Sequence, residues 1–228
     1  MHDGLYAGVI ELSADQLPAL HRWFAAGPPA ATALAEHALV SGVGRWWADR
    51  AVDPRAIAVA CADHLPLPWE RMAYVHRVPV SPPRPPLGVT VRRLTPEDAP
   101  ALAALGPDTA WIHASWGGPA GLAGSGHGWA AFAHGRVLAP ACTYFRGSGF
   151  EDVACVTAPE YRRRRLAPAC VTALCKDIAA RGHTPSWTCS RDDRPSRLLA
   201  WTAGFRLEHE YVHHFTGRPA RRVAGIIG

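Results

Sequence analysis

The pattern of apolar and polar positions divides the chain at a run of prolines. Pro79-Val-Ser-Pro-Pro-Arg-Pro-Pro86 holds five of them. Each fixes its own φ and lacks an amide donor, so neither a helix interior nor a central strand fits there. Residues 79–87 read as a stiff extended linker. Before it, Ser13-Ala-Asp-Gln16 supplies the cap of a helix running through Leu17, Leu20 and Phe24. Residues 31–47 form a second, alanine-rich helical stretch, and 57–65 a short apolar element. Residues 1–78 are therefore expected to be a small, mainly helical region, and no motif stands out in them.

Beyond the prolines the pattern alternates between the strand and helix periods. Val89-Thr-Val-Arg-Arg-Leu94 alternates as a strand, and Thr95-Pro-Glu-Asp98 then opens a helix through Leu105. Residues 128–132 and 137–145 read as two strands joined at His134-Gly135, a hairpin signal. A further strand covers 150–156. Leu166, Cys170, Leu174 and Ile178 recur at i, i+4 and mark a helix over 166–181, stopped by Gly182. A short strand over 186–190, a short helix over 196–203 and a strand or hairpin over 205–215 complete the order. The expectation is an α/β fold over 88–217, a mixed central sheet flanked by helices, with a basic tail at 218–228.

Composition changes this picture only modestly. The 228 residues are 48% hydrophobic and 19% charged, which excludes a disordered chain and allows a sizeable core. No apolar run approaches the roughly 18 residues of a membrane span. The start, MHDGLYAGVIELSADQL, lacks the basic and then apolar pattern of a signal peptide. A soluble cytoplasmic protein with no membrane partner is expected. The net charge of +5 favours anionic partners without by itself indicating a nucleic-acid binder. The six cysteines lack paired CxxC spacing, so neither a disulfide framework nor a zinc site is expected. Cys61-Ala-Asp-His64 and His213-His214 offer no full ligand set.

The element order, with a basic turn before the main helix, resembles the GNAT N-acetyltransferase superfamily, bacterial type, over roughly residues 89–215. Val156-Thr-Ala-Pro-Glu-Tyr-Arg-Arg-Arg-Arg-Leu-Ala167 is similar to the family's strand-to-helix pyrophosphate loop, Arg/Gln-x-x-Gly-x-Gly/Ala. Arg162 stands first, Arg165 at the glycine and Ala167 last. Pro185-Ser-Trp-Thr-Cys-Ser190, Asp193-Arg-Pro-Ser196 and Gly204-Phe205 are similar to the family's later strand, helix and closure. The resemblance implies acyl-CoA, usually acetyl-CoA, as co-substrate and no metal. It places donor contacts at Cys155, Val156, Thr157, Arg162, Arg163, Arg164, Arg165, Leu166, Ala167, Asp193 and Ser196.

The loop's chemistry stands on its own terms. A helix N-terminus exposes unpaired N–H groups and a positive dipole end, which attract a diphosphate. Arginine side chains add charge-assisted contacts. Arg165 departs from the family, because glycine lets the backbone approach closely and adopt unusual dihedrals. With a right-handed backbone, Arg165 points outward and can meet the 3′-phosphate of coenzyme A. Otherwise the loop departs from an ordinary coenzyme A cradle, and the donor becomes another acyl carrier such as aminoacyl-tRNA.

Catalysis as the resemblance implies it needs a base and a strand N–H that polarises the thioester carbonyl. The N–H groups near Cys155 and Val156 fit the second role. Glu151 and Asp152 are the candidate bases, and alternation lets only one face the site. His113 is a third candidate. It lies in Trp111-Ile-His-Ala-Ser-Trp-Gly-Gly118, where Trp111, Ser115 and Trp116 are the candidate acceptor contacts. The family's tyrosine general acid is absent, with Ala200 in its place beside Trp201. Cys155 reads as a packing residue rather than a nucleophile.

The leading expectation is an N-acyltransferase acting on an amine of a small molecule, in natural-product biosynthesis or antibiotic self-resistance, as a monomer or homodimer. One alternative is a GNAT-fold enzyme using aminoacyl-tRNA, with Arg191, Arg194, Arg197, Arg218, Arg221 and Arg222 on RNA phosphates. The other is a non-catalytic ligand-binding protein of the same fold.

Overall fold

The computed structural model describes residues 10–21, 36, 39–40, 45–55, 57–60 and 66–216. The main sheet has seven strands, β4 (Pro66–His76), β5 (Thr90–Arg93), β6 (Gly128–Ala133), β7 (Arg136–Arg146), β8 (Phe150–Cys155), β9 (Thr184–Ser190) and β10 (Phe205–Thr216). Their order is β10-β4-β9-β8-β7-β6-β5. Every pairing is antiparallel except β8 with β9. Four helices flank it, α1 (Ala99–Ala103), α2 (Pro119–Gly124), α3 (Leu166–Ala180) and α4 (Arg194–Thr202).

Each sheet face has its own core. Met72, Val153 and Trp187 pack against Cys170 and Leu174 of α3 and Ala200 of α4. On the other face, Ala130, Cys142 and Ala154 pack against Leu102 of α1 and Leu122 of α2. Turn chemistry fixes the register at two places. His134 and Gly135 both take positive φ (49° and 73°), as a two-residue primed hairpin turn demands. Gly204 closes the fold, since a Cβ there would lie 2.0 Å from the Val78 carbonyl oxygen. Its own carbonyl accepts from the Arg77 and Val78 amides.

The region before the prolines differs from its mainly helical expectation. A second sheet of β1 (Ile10–Leu12), β2 (Arg45–Ala48) and β3 (Ile57–Ala60) lies there in the order β1-β2-β3. The helix expected after Ser13 is a single 3-10 turn, Leu17–Leu20, and Phe24 lies outside the described residues. Within 31–47, Glu36, Leu39 and Val40 are helical, but the Trp-Trp pair is in a strand. Adjacent large aromatics suit a pleated surface, and Trp46 turns inward to 2% exposure.

The break at residue 79 is also not a break in the sheet. β4 precedes the prolines yet pairs with β10 on one side and β9 on the other. Met72 to Val75 are all buried, as befits an interior strand.

Candidate active site

The site begins where two parallel strands part. β8 and β9 pair from Phe150↔Thr184 only as far as Asp152↔Ser186. Beyond that point β9 continues beside β4, and β8 beside β7. Side chains take over where the ladder stops. The Ser186 hydroxyl donates to Asp152 Oδ1 at 3.2 Å, and the Thr188 hydroxyl to Oδ2 at 2.9 Å.

Pro140 ends the ladder on the other edge of β8. Its carbonyl accepts from the Val156 amide at 3.1 Å, but proline has no N–H to return. The Ala158 amide donates to Leu138. Alternation along the chain therefore turns the Cys155 and Thr157 amides the opposite way, into the gap that β9 has left. Of the two N–H groups expected near the thioester, Val156 is engaged by the sheet and Cys155 faces the gap. Burial pushes the Cys155 thiol well above its ordinary range, which leaves the group protonated and its main chain as the useful part.

The strand then runs through a 3-10 turn, Pro159–Tyr161, into the arginine run. Arg162 Nε donates back to the Thr157 carbonyl at 3.3 Å, and the Arg164 guanidinium lies 5.5 Å from the Tyr161 ring centre. Arg163 and Arg165 hold positive φ, 61° and 58°. Arg165 is the N-cap of α3, in the left-handed region, with no side-chain cap on the helix. The right-handed backbone considered from the sequence is thus not adopted. The main chain has the conformation a glycine there would supply, at a cost of about 1–2 kcal/mol for a residue with a Cβ. Pro168 removes one amide from the first turn, and those of Leu166 and Ala167 remain at the positive end of the dipole. Non-glycine residues in this region persist where the surroundings enforce them, commonly at ligand clamps.

Asp193 and Ser196, expected to touch the donor, have structural partners. Asp193 caps α4 by accepting from the Ser196 amide at 3.0 Å, and Ser196 Oγ accepts from Trp187 Nε1 at 3.0 Å. Ala200 is fully buried, while Trp201 is exposed and stacks on the Arg206 guanidinium at 3.9 Å.

The two candidate carboxylates lie on opposite faces. Glu151 lies at the C-terminal end of α3, at 0% exposure. It accepts from Arg181 Nε at 3.1 Å and Nη2 at 2.6 Å, and from the Thr143 hydroxyl. The imidazole of His183 is 3.0 Å away and that of His127 3.5 Å. Burial alone would push Glu151 up, but contacts from His127, Arg181 and Thr143 outweigh it and hold the carboxyl well below the usual range. Glu151 is committed to structure, which removes it as a base. Asp152 faces the other side, among hydroxyls. Burial pushes its carboxyl up to about 6, against the Thr188 hydrogen bond and the charge of Arg71.

The segment expected to contact the acceptor is a 3-10 helix, Ala110–Trp116, packed on β7. Trp116 Nε1 donates to the Thr143 carbonyl at 2.7 Å, and its ring stacks on His127. The β7–β8 register shifts at a bulge between Thr143 and Phe145. Trp111 packs edge-on to Tyr144 at 5.7 Å, and Tyr144 packs on Phe145, the register partner of Asp152. His113 is half-buried, and desolvation lowers its pKa. Ser115 and Trp116 line an open cavity of about 600 Å³, together with Arg146, His183, His21 and Glu36. Glu36 reaches this wall from the N-terminal region and accepts from the Ser148 amide at 2.6 Å and hydroxyl at 2.7 Å. No sequence signal pointed to Glu36, Arg71 or Thr188. Among the described residues no group of His, Cys, Asp and Glu could hold a metal ion, and no helix is long and apolar enough to cross a membrane.

A parting parallel pair, a basic loop and an uncapped helix start follow one another as in the GNAT fold. The GNAT acetyltransferase family model matches residues 86–214. The chain is 54% identical over 214 residues to an uncharacterized N-acetyltransferase in the mutA 5'region of Streptomyces virginiae, with 77% of this chain and 90% of that relative covered. Solved structures give the same fold. A GNAT-like protein from Streptococcus suis superposes with a TM-score of 0.64 at 16% identity, over 89% of this chain and 99% of that one. A GNAT acetyltransferase from Colwellia psychrerythraea gives 0.64 at 12% identity, over 92% and 99%. The chain belongs to the GNAT acetyltransferase family and is an acyltransferase.

Proposed function

We propose that the protein transfers an acyl group, most simply acetyl, from acyl-CoA to the amine of a small molecule. The observation that carries the donor assignment is the start of α3, where no side chain caps the helix. Arg165 is left-handed there, the case that sequence alone linked to another acyl carrier, but that conformation keeps the main chain close to the helix start as a glycine would. That fits a diphosphate held by the Leu166 and Ala167 amides, with Arg162, Arg163 and Arg165 around it. The donor, when bound, supplies an activated thioester. The Cys155 amide, facing the gap, is placed to stabilise charge on the carbonyl oxygen. Asp152, on the acceptor face and ionised above about pH 6, is placed to take the amine proton, directly or through water. Trp111, packed beside Tyr144 and Phe145 on the Asp152 face, is the acceptor contact in this reading. The cavity at Ser115 and Trp116 lies instead on the side of Glu151 and its partner His183.

Calorimetric titration with acetyl-CoA tests it, run on the natural protein and on Arg165→Gly. Both are expected to bind in the micromolar range and within a few-fold of each other. The glycine variant is expected to gain about 1 kcal/mol of stability from relieved backbone strain. If neither binds acetyl-CoA and both bind aminoacyl-tRNA with a steep salt dependence, the donor is a charged tRNA.

A further inference from the structure

The described residues hold a buried charge that the transfer chemistry above does not use. Arg71 lies on β4, at 4% exposure, before the prolines and outside the matched residues 86–214. Its register partners are Ser190 on β9 and Tyr211 on β10. Arg71 Nη2 donates to Thr188 Oγ1 at 3.2 Å, and the same hydroxyl donates to Asp152 Oδ2 at 2.9 Å. One hydroxyl thus accepts from a guanidinium and donates to a carboxylate, the only polarity that satisfies both. We infer that Arg71, acting through Thr188, is a positioning residue that fixes the orientation and the negative charge of the Asp152 carboxylate. A strand outside the matched segment thereby becomes part of the catalytic apparatus. This rests on the reading of Asp152 as base.

The surroundings make Arg71 the charge that matters. β9 presents the hydroxyls of Ser186 and Thr188 to Asp152, and β7 presents Phe145 opposite it. β10 brings the Tyr211 hydroxyl to Arg71, and burial pushes that phenol up. On β9, burial pushes the Cys189 thiol up to about 11. Tyr211 and Cys189 therefore stay neutral wherever a base for an amine is useful. His209, the register partner of Ala73, packs on the Tyr211 ring with centroids 5.7 Å apart. An arginine keeps its charge throughout. Burial of Asp152 opposes ionisation, and Arg71 is the cation that offsets it. The Thr188 hydroxyl holds one carboxylate oxygen and the Ser186 hydroxyl the other, which fixes the plane of the carboxylate.

The test uses the full chain. Infrared difference spectroscopy follows protonated carboxyl groups from about pH 4 to about pH 9, with Asp152→Asn identifying the Asp152 band. It is run on Arg71→Met, Arg71→Lys, Thr188→Val and Thr188→Ser. In parallel, the pH profile of kcat/KM is measured for acetyl transfer from acetyl-CoA to simple primary amines such as ethanolamine. The wild-type midpoint is expected near 6. Arg71→Met raises it by about one unit, and Thr188→Val by less. Arg71→Lys and Thr188→Ser restore most of the shift. The acid limb of the rate profile moves with the midpoint, giving about a fivefold loss near pH 6, approaching tenfold below pH 5, and almost none near pH 9. An unmoved midpoint in folded Arg71→Met overturns the inference while Asp152→Asn remains inactive. If Arg71→Met does not fold, the Thr188→Val and Thr188→Ser pair decides in the same way. Full acetyl transfer by Asp152→Asn overturns the base assignment instead, whatever the midpoints do.

Discussion

Glu151 and Asp152 are consecutive residues of one strand, both removed from solvent, and their protons are held in opposite ways. Glu151 meets a guanidinium through two hydrogen bonds, with a hydroxyl and two imidazoles around it. Asp152 meets two hydroxyls, and its cation stands one hydroxyl away. Burial raises both, yet only Asp152 ends above its ordinary value. Direct ion pairing makes a carboxylate a fixed anion suited to holding α3 on the sheet. A cation at one remove leaves a carboxylate that can accept a proton near neutrality, as a base must.

The widest separation between the two is expected in activity. Asp152→Asn should lower kcat by about a thousandfold while leaving acetyl-CoA binding unchanged, measured by steady-state kinetics and calorimetry. Glu151→Gln should do the reverse. Removing the Glu151 charge breaks the buried pair and leaves Arg181 held by Asp177, at a cost of about 3 kcal/mol in urea unfolding. The fraction that remains folded should turn over at the wild-type rate. Equal losses of kcat from both variants would erase the distinction.

The sequence carries one half of this contrast plainly and the other hardly at all. Alternation says that only one carboxylate faces the site, and the hairpin, α3 and the arginine loop are all local in sequence, readable from period, turn residues and caps. Arg71 reaches Asp152 from 81 positions earlier across a β4–β9 pairing, and strand partners that distant leave no mark in local pattern. The same non-locality hides β4 behind the prolines, which look like a domain linker but join two strands of one sheet. Trp46 and Trp47 sit in a strand because they pair with β1 and β3 on either side. That pairing overrides the helical composition before them. Sequence left three candidate bases, Glu151, Asp152 and His113; the case for Asp152 rests on the positions of Arg181, Arg71 and Thr188 in space.

Stability against pH separates the two groups without any substrate. The Asp152 carboxyl is raised on folding from 3.8 to about 6. Its contribution is therefore complete below its unfolded value and is lost as pH rises through about 6. Glu151 is depressed below 4.5, so its contribution is present above 4.5 and is lost as pH falls below it. Between about pH 4.5 and pH 7 the deficit of Glu151→Gln should stay constant. Over the same window Asp152→Asn should gain about 2 kcal/mol relative to wild type. Denaturant titrations at several pH values check this. A flat difference for Asp152→Asn would mean that the two carboxylates are held alike.

The smallest effect expected is at Ser186, and it bears on how the Asp152 side of the contrast is built. Ser186 donates to Oδ1 at 3.2 Å, while Thr188 donates to Oδ2 at 2.9 Å and alone relays Arg71. Were the two hydroxyls equivalent donors, removing either would raise the Asp152 midpoint equally. The relay predicts inequality, because Thr188→Val loses a hydrogen bond together with the guanidinium's hold, and Ser186→Ala loses only a longer hydrogen bond. Ser186→Ala should therefore move the acid limb of kcat/KM by about 0.3 unit, about a 1.5-fold change near pH 6 that reaches about twofold below pH 5 and vanishes near pH 8. A shift equal to that of Thr188→Val would reduce the control of Asp152 to a count of hydroxyls, with Arg71 acting through space alone.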